Sequence, residues 1–75
     1  QTVSANEDLA LQSRVRDRLA QCGHAAMRAV ACTVRDGCIR LTGRTRTYYL
    51  KQVAQELARA TPGAGEIVNE IRVGS

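Results

Sequence analysis

The sequence has 75 residues, enough for one small domain with a single hydrophobic core and too few to enclose a deep substrate cleft. Phe and Trp are absent and Tyr occurs twice, so the core must be built from aliphatic residues, with methionine and cysteine filling gaps. Eleven Lys and Arg against seven Asp and Glu give a formal net charge of +4, which permits an anionic partner without deciding the fold. The sequence predicts neither a membrane-spanning helix nor a signal peptide.

The first predicted element is a helix that begins near Ser4 or Asn6. Ser4 followed by Glu7 fits a capping box, and Asp8 suits the positive end of the helix dipole. Apolar residues recur at helical spacing and form one stripe: Leu11, Val15, Leu19 and Cys22. Arg14, Arg16 and Arg18 lie away from this stripe. Gly23 is predicted to end the helix.

A β-hairpin is predicted next, because apolar residues alternate with others on both sides of the dipeptide Asp36-Gly37. A two-residue type I′ turn there pairs Arg35 with Cys38, and by the same register Val34 with Ile39 and Cys32 with Leu41. All the apolar partners then fall on one face. Cys32 and Cys38 point to opposite faces, which argues against a disulfide between them.

A second helix and a third strand complete the chain. Thr45 or Thr47 is predicted to cap the helix, which ends before Thr61-Pro62-Gly63. Its predicted buried face consists of Leu50, Val53, Ala54, Leu57 and Ala58, with Tyr49 at the margin and Tyr48 more exposed. Alternation over residues 66 to 73 predicts the strand.

The order of elements predicts an α+β fold, an αββαβ two-layer sandwich in which two helices pack on one face of a three-stranded mixed sheet. We predict that residues 1–75 form a single domain with a core of about residues 8–73. The other face of the sheet is left to solvent or to a partner.

Two motifs resemble the BON domain, a family named for bacterial osmotically inducible and nodulation proteins. The first is a D-G-x-x-x-L-x-G hairpin, formed by Asp36, Gly37, Leu41 and Gly43. The second is the ending P-G…V-x-N-x-[IL]-x-V, formed by Pro62, Gly63, Ile67, Asn69, Ile71 and Val73. Ala64 stands where the family usually has Val. The resemblance runs from about Asp8 to Val73 and implies a non-catalytic module that binds phospholipid membranes or other proteins.

The first functional hypothesis is peripheral binding to an anionic phospholipid surface. Basic side chains attract such a surface, and a tyrosine ring can lie at its interface. The candidate residues are Arg14, Arg18, Arg44, Arg46, Tyr48 and Lys51. At about 1 kcal/mol for each basic residue, binding by an isolated domain is weak.

The alternative is a protein-interaction or oligomerisation module that uses the open face or an edge of the sheet. Its candidate residues share the face turned away from the helices: Ala31, Thr33, Arg40, Thr42, Val68 and Arg72. A weak homo-oligomer belongs to this alternative. Gly37, Leu41, Gly43 and Asn69 are interpreted as structural, serving the turn, the core, a close approach and backbone hydrogen bonds respectively.

Other classes of function are disfavoured. The sequence has neither the pair of aromatic residues on a strand nor the G-x-x-G clamp that would indicate nucleic-acid binding. Cys22 and His24 lie close in sequence, but no carboxylate is spaced to orient the histidine, so we predict no catalytic residues. Neither a cofactor nor a metal site is predicted, since the three cysteines form no C-x-x-C pair. The resemblance implies a bacterial periplasmic or envelope location, unpaired thiols favour the cytoplasm, and both stay open.

Overall fold

A computed structural model describes residues 5 to 74, with side chains from residue 6 onward. Helix α1 spans Ala5–Gln21 and is followed by a short 3-10 helix, Ala25–Ala29. The remaining elements are β1 (Val30–Arg35), β2 (Cys38–Thr45), α2 (Tyr48–Arg59), β3 (Ile67–Asn69) and β4 (Arg72–Val73). Two helices and a mixed sheet of four strands confirm the α+β class and the predicted αββαβ order. The predicted cap at Ser4 lies outside the described residues.

The hairpin has the predicted register. Arg35 pairs with Cys38, Val34 with Ile39 and Cys32 with Leu41. Asp36 and Gly37 both have positive φ, 51° and 80°, as a type I′ turn requires. The structure adds a contact that the sequence did not predict: the carboxylate of Asp8, in α1, accepts the N–H groups of both turn residues, at 3.0 and 3.1 Å.

Strand β2 is the centre of the sheet, antiparallel to β1 and parallel to both β3 and β4. It continues two residues beyond Gly43, the predicted end, to Thr45. Of the two predicted caps of α2, Thr47 is the one found: its Oγ1 accepts the N–H of Leu50 at 3.2 Å. Thr45 is instead buried, and its hydroxyl donates to the Thr47 carbonyl at 3.0 Å.

The predicted third strand is divided into β3 and β4. Between the two strands, the Oδ1 of Asn69 accepts the N–H of Ile71 at 3.1 Å. The chain stays alongside β2 nevertheless: Glu70 donates its N–H to the carbonyl of Leu41, and Gly74 donates to that of Thr45. A three-stranded sheet with one interrupted edge therefore describes the architecture equally well.

Both helices pack on one face of the sheet, as predicted, and the core lies between the two layers. Each layer supplies apolar side chains, and the 3-10 helix adds Met27; the buried set is Leu11, Val15, Leu19, Met27, Cys32, Ile39, Leu41, Ala54, Ala58 and Ile71. Helix α2 presents only the small Ala54 and Ala58 to the deepest part of the core. Leu50, Val53 and Leu57 are half-buried beside them.

Candidate functional site

The two ends of the domain differ in the residues that they carry. At one end, called here the turn end, lie the Asp36-Gly37 turn, the start of α1 and the end of α2. The opposite end, called the basic end, holds the end of α1, the 3-10 helix and the junction from β2 to α2. The hairpin fixes this arrangement, because β2 begins beside the turn at Cys38 and finishes farthest from it at Thr45.

Basic side chains from five parts of the chain lie at the basic end. Arg44 is near the end of β2 and is the Cα partner of Arg72 in β4, and both are exposed. Arg46 is exposed in the bend that joins β2 to α2, and Lys51 is in the first turn of that helix. Arg28 is exposed in the 3-10 helix, two residues before Val30, which is the Cα partner of Gly43. We call Arg28, Arg44, Arg46, Lys51 and Arg72 the basic cluster.

Two tyrosines stand out from the same end. Tyr48 and Tyr49 are 74% and 65% exposed, so Tyr49 is far more open than its predicted position at the margin of the core. The Nζ of Lys51 lies 5.7 Å from the centroid of the Tyr48 ring, a cation–π contact. The ring of His24 meets that of Tyr49 edge to face, with centroids 6.0 Å apart. Exposed aromatic rings at the basic end are therefore in contact with one cationic side chain, Lys51, and with His24.

Carboxylates lie mainly at the turn end. The Asp8 carboxylate binds the turn, and Asp36 belongs to it. Glu66 lies beside the start of β2, because its backbone carbonyl accepts the N–H of Ile39. On the side of the basic cluster, the Glu70 carboxylate is held by Arg40 at 3.6 Å. Asp17 is exposed on α1. The net positive charge is accordingly concentrated at the basic end.

The six candidates for lipid binding are not brought into one patch. Arg44, Arg46, Tyr48 and Lys51 lie together at the basic end. Arg14 is directed toward the other end, where its Nη1 donates to the carbonyl of Pro62 at 3.5 Å. Arg18 is exposed on α1, one turn closer to the basic end. Arg28 and Arg72 were not among these candidates; nothing in the local pattern around Arg72 indicates that it is the Cα partner of Arg44.

The face of the sheet away from the helices carries the candidates of the alternative hypothesis. Cross-strand neighbours there include Ala31 with Thr42, Thr33 with Arg40, and Arg40 with Val68. Arg72 lies at its end, beside Arg44. The ion pair between Arg40 and Glu70 joins exposed side chains and contributes little to stability. This open face is thus small, mixed in polarity and basic at one end.

The four residues interpreted as structural occupy the expected kinds of position. Gly37 completes the turn, and Leu41 is fully buried. Gly43 has a φ of +121°, and a Cβ there would overlap the carbonyl oxygen of Ala29. The Nδ2 of Asn69 donates to the carbonyl of Lys51 at 3.2 Å and to the Gln55 side chain at 3.1 Å. Asn69 therefore ties the last strands to α2.

The cysteines are free thiols. Burial raises the pKa of the Cys32 thiol, an effect that the nearby Arg16 guanidinium partly opposes. Cys22 donates its thiol hydrogen to the Leu19 carbonyl at 3.2 Å. Over the described part of the chain, His, Cys, Asp and Glu form no group of three that could hold a metal ion.

Among residues 5 to 74, no helix has the length and apolarity needed to cross a bilayer.

Comparison with known proteins gives one informative match. A search of curated proteins found no match. The family model of the BON domain, in contrast, matches residues 7–75, nearly the whole chain, and includes the hairpin, both helices and the last two strands. The chain belongs to the BON domain family.

Proposed function

We propose that this domain is a non-catalytic module that binds anionic phospholipid surfaces peripherally through its basic end. The observation that carries the proposal is the concentration of the basic cluster and of two exposed tyrosines at one end of the domain. Membership of the BON family supports a binding role without catalysis. Arg14, directed to the opposite end, is left out of the proposed contact surface, and Arg18 is at most peripheral to it.

The proposed interaction is weak for a single domain. Each basic residue near an anionic surface contributes about 1 kcal/mol, so four of them contribute about 4 kcal/mol, equivalent to a dissociation constant of about 1 mM. Tyr48 and Tyr49 add affinity because an amphipathic ring is favoured at the boundary between headgroups and acyl chains. Tight attachment would require several domains acting together.

The test is co-sedimentation with vesicles of phosphatidylglycerol and phosphatidylcholine, or of phosphatidylcholine alone, at low and at physiological salt. We expect binding only to the anionic vesicles, and less of it as salt rises. The double variant Arg46→Gln/Lys51→Gln should bind at least tenfold more weakly, since it loses about 2 kcal/mol of attraction.

A matched control distinguishes a localised surface from net charge alone. Arg35→Gln/Arg59→Gln removes the same charge at the turn end, where both side chains are exposed, and should bind almost as well as the unaltered protein. Equal losses in the two variants, or binding to neutral vesicles of the same strength, would contradict the proposal.

The second candidate function is protein binding through the open face. The feature that favours it is the mixed character of that face, where Thr33, Val68 and the Arg40–Glu70 ion pair are adjacent. Sedimentation equilibrium over a range of concentrations tests self-association. A dimer that dissociates on Val68→Glu, with no vesicle binding, would favour this function over the first.

A further inference from the structure

Strand β1 is at an edge of the sheet, and its hydrogen-bonding pattern determines which of its groups face outward. The strand order is β1, β2, β3, so β1 has β2 on one side only. In a two-residue hairpin the residues flanking the turn, Arg35 and Cys38, exchange both backbone bonds, and alternate pairs follow the same rule. Val34 and Cys32 belong to the intervening pairs, which exchange no backbone hydrogen bonds with β2. Their N–H and carbonyl groups point away from β2.

Both ends of this edge are closed by other parts of the chain. The N–H of Val34 donates to Oε1 of Gln12, in α1, at 3.2 Å. At the other end, the N–H of Val30 donates to the carbonyl of Met27. Closure of an edge by side chains and adjoining segments is how natural sheets avoid unwanted pairing. Between these two points the backbone groups of Cys32 point away from β2 at the centre of the edge, and the residue as a whole is 5% exposed.

Helix α1 runs beside this edge and forms a groove with it. One turn after Gln12 comes Arg16, and one turn later Ala20, so the helix follows the strand from Val34 toward Val30. The groove has a volume of about 380 Å³ and is lined by Arg16, Leu19, Ala20, Met27, Arg28 and Cys32, besides Val30 and Ala31. Leu19 and Met27, 3% and 2% exposed, lie beneath the groove, and the half-buried Val30 supplies its accessible apolar surface. This is the geometry of an edge strand beside a helix that accepts an added strand.

The rim of the groove is positively charged. Arg16 and Arg28 are both exposed and line it. Neither takes part in an ion pair within residues 6 to 74, where the pairs are Arg40 with Glu70 and Arg59 with Glu56. The effect of Arg16 on the Cys32 thiol shows that its charge acts close to the centre of the edge. A segment lying in the groove would therefore be stabilised by carboxylates on the side facing α1.

We propose that the groove between α1 and β1 binds an extended acidic segment of a partner protein, which adds to the sheet as a strand at Cys32. Backbone bonds to Cys32 supply affinity. Apolar contact with Val30, and ion pairs with Arg16 and Arg28, select a segment that alternates acidic and apolar residues on the side facing α1. This site is separate from the lipid-binding surface, apart from Arg28 at the boundary of the two.

A second copy of the chain is a poorer occupant for reasons of charge. Pairing of β1 with its own copy would bring two sets of Arg16, Arg28 and Arg35 together, with no acidic residue in either β1 to offset them. Like charges held close across an interface oppose association. An acidic partner avoids this repulsion.

The experiment uses a synthetic peptide with Glu-Val-Glu on alternate positions and threonine between them, and a control peptide with Lys in place of each Glu. Binding is followed by fluorescence anisotropy, and the amide hydrogen exchange of Cys32 by NMR. We expect the acidic peptide to bind and the lysine peptide not to bind. Exchange at the Cys32 amide should slow at least tenfold in the complex.

Charge reversal provides the decisive comparison. Arg16→Glu/Arg28→Glu should weaken binding of the acidic peptide at least tenfold and allow the lysine peptide to bind, which a merely unfolded variant could not do. Arg46→Glu/Arg59→Glu, with the same change in net charge outside the groove, should retain the acidic peptide. Binding without protection of Cys32, no binding at all, or protection of Cys32 that depends on protein concentration alone would overturn the proposal; the last result would identify a second copy as the occupant.

Discussion

Gly43 is the point of closest backbone approach between β2 and the end of the 3-10 helix. A Cβ there would overlap the Ala29 carbonyl oxygen and lie 3.0 Å from the Cα of Val30, and the φ of +121° is itself strained for any other residue. We expect Gly43→Ala to lower the free energy of unfolding by about 3 kcal/mol, measured by urea denaturation.

Gly23→Ala is the matched control for that substitution. Gly23 also has a positive φ, +89°, but a Cβ at this position would meet no heavy atom within 4 Å. Only the cost of the backbone conformation should appear, about 1 kcal/mol. Equal losses at the two glycines would show that the contact with Ala29 has no energetic importance.

The Cys32 thiol makes stability depend on alkaline pH. Because burial raises its pKa in the folded state, the folded protein holds this proton more tightly than the unfolded chain does. The resulting stabilisation is complete below the unfolded pKa of about 8.5 and is lost as pH rises through the folded value. We expect the free energy of unfolding to fall as pH rises above the unfolded pKa of about 8.5 and through the higher folded value.

Cys32→Ala identifies the source of this pH dependence. The variant should be less stable at neutral pH because it leaves a cavity, yet its stability should decline less steeply in the alkaline range. Denaturation with reductant present at several pH values measures both quantities. An unchanged slope would assign the pH dependence to other groups.

At the scale of elements, Asn69 connects the divided edge of the sheet to α2. It donates to Lys51 and Gln55 and accepts from Ile71. We expect Asn69→Ala to cost about 2 kcal/mol, since three hydrogen bonds of a half-buried side chain are lost. Hydrogen exchange at the Ile71 amide should become faster. Gln55→Ala removes one of the three and should cost less than half as much; a larger effect at Gln55 would assign the connection to that residue.

The hairpin and the 3-10 helix show how far the sequence specifies single elements. Asp36-Gly37 and the alternation around it predicted the same register independently, and every predicted pair was confirmed. The 3-10 helix was not predicted, because Met27 is its one buried anchor and the alanines around it have no periodicity. The division of the third strand was also missed, since the alternation of residues continues through it without a break.

For the whole molecule, the adjacency of Arg44 and Arg72 opposes stability and, by our proposal, serves binding. Like charges directly opposite in a sheet are unfavourable, whereas opposite charges stabilise by about 0.2 to 1 kcal/mol. Arg44→Glu should therefore raise the free energy of unfolding slightly while weakening binding to anionic vesicles. Urea denaturation and co-sedimentation of the same preparation test both. A loss of stability would mean that Arg44 makes a structural contribution.

The candidate site could be predicted only in part. Arg44, Arg46, Tyr48 and Lys51 are neighbours in sequence, so one bend keeps them together. Arg72 joins them through the pairing of β4 with β2, which depends on tertiary structure. Arg14 was grouped with them by charge alone, and its contact with Pro62 follows from the packing of α1 beside the end of α2.

The separation of charge between the two ends gives the molecule a permanent electric dipole moment along the hairpin. In the field of an anionic surface such a dipole experiences a torque, so the domain rotates before any contact forms. Under the proposed function, the basic end turns toward the surface and the Asp36-Gly37 turn points into solution. Encounter is then oriented as well as accelerated, and both effects diminish when salt shortens the range of the field.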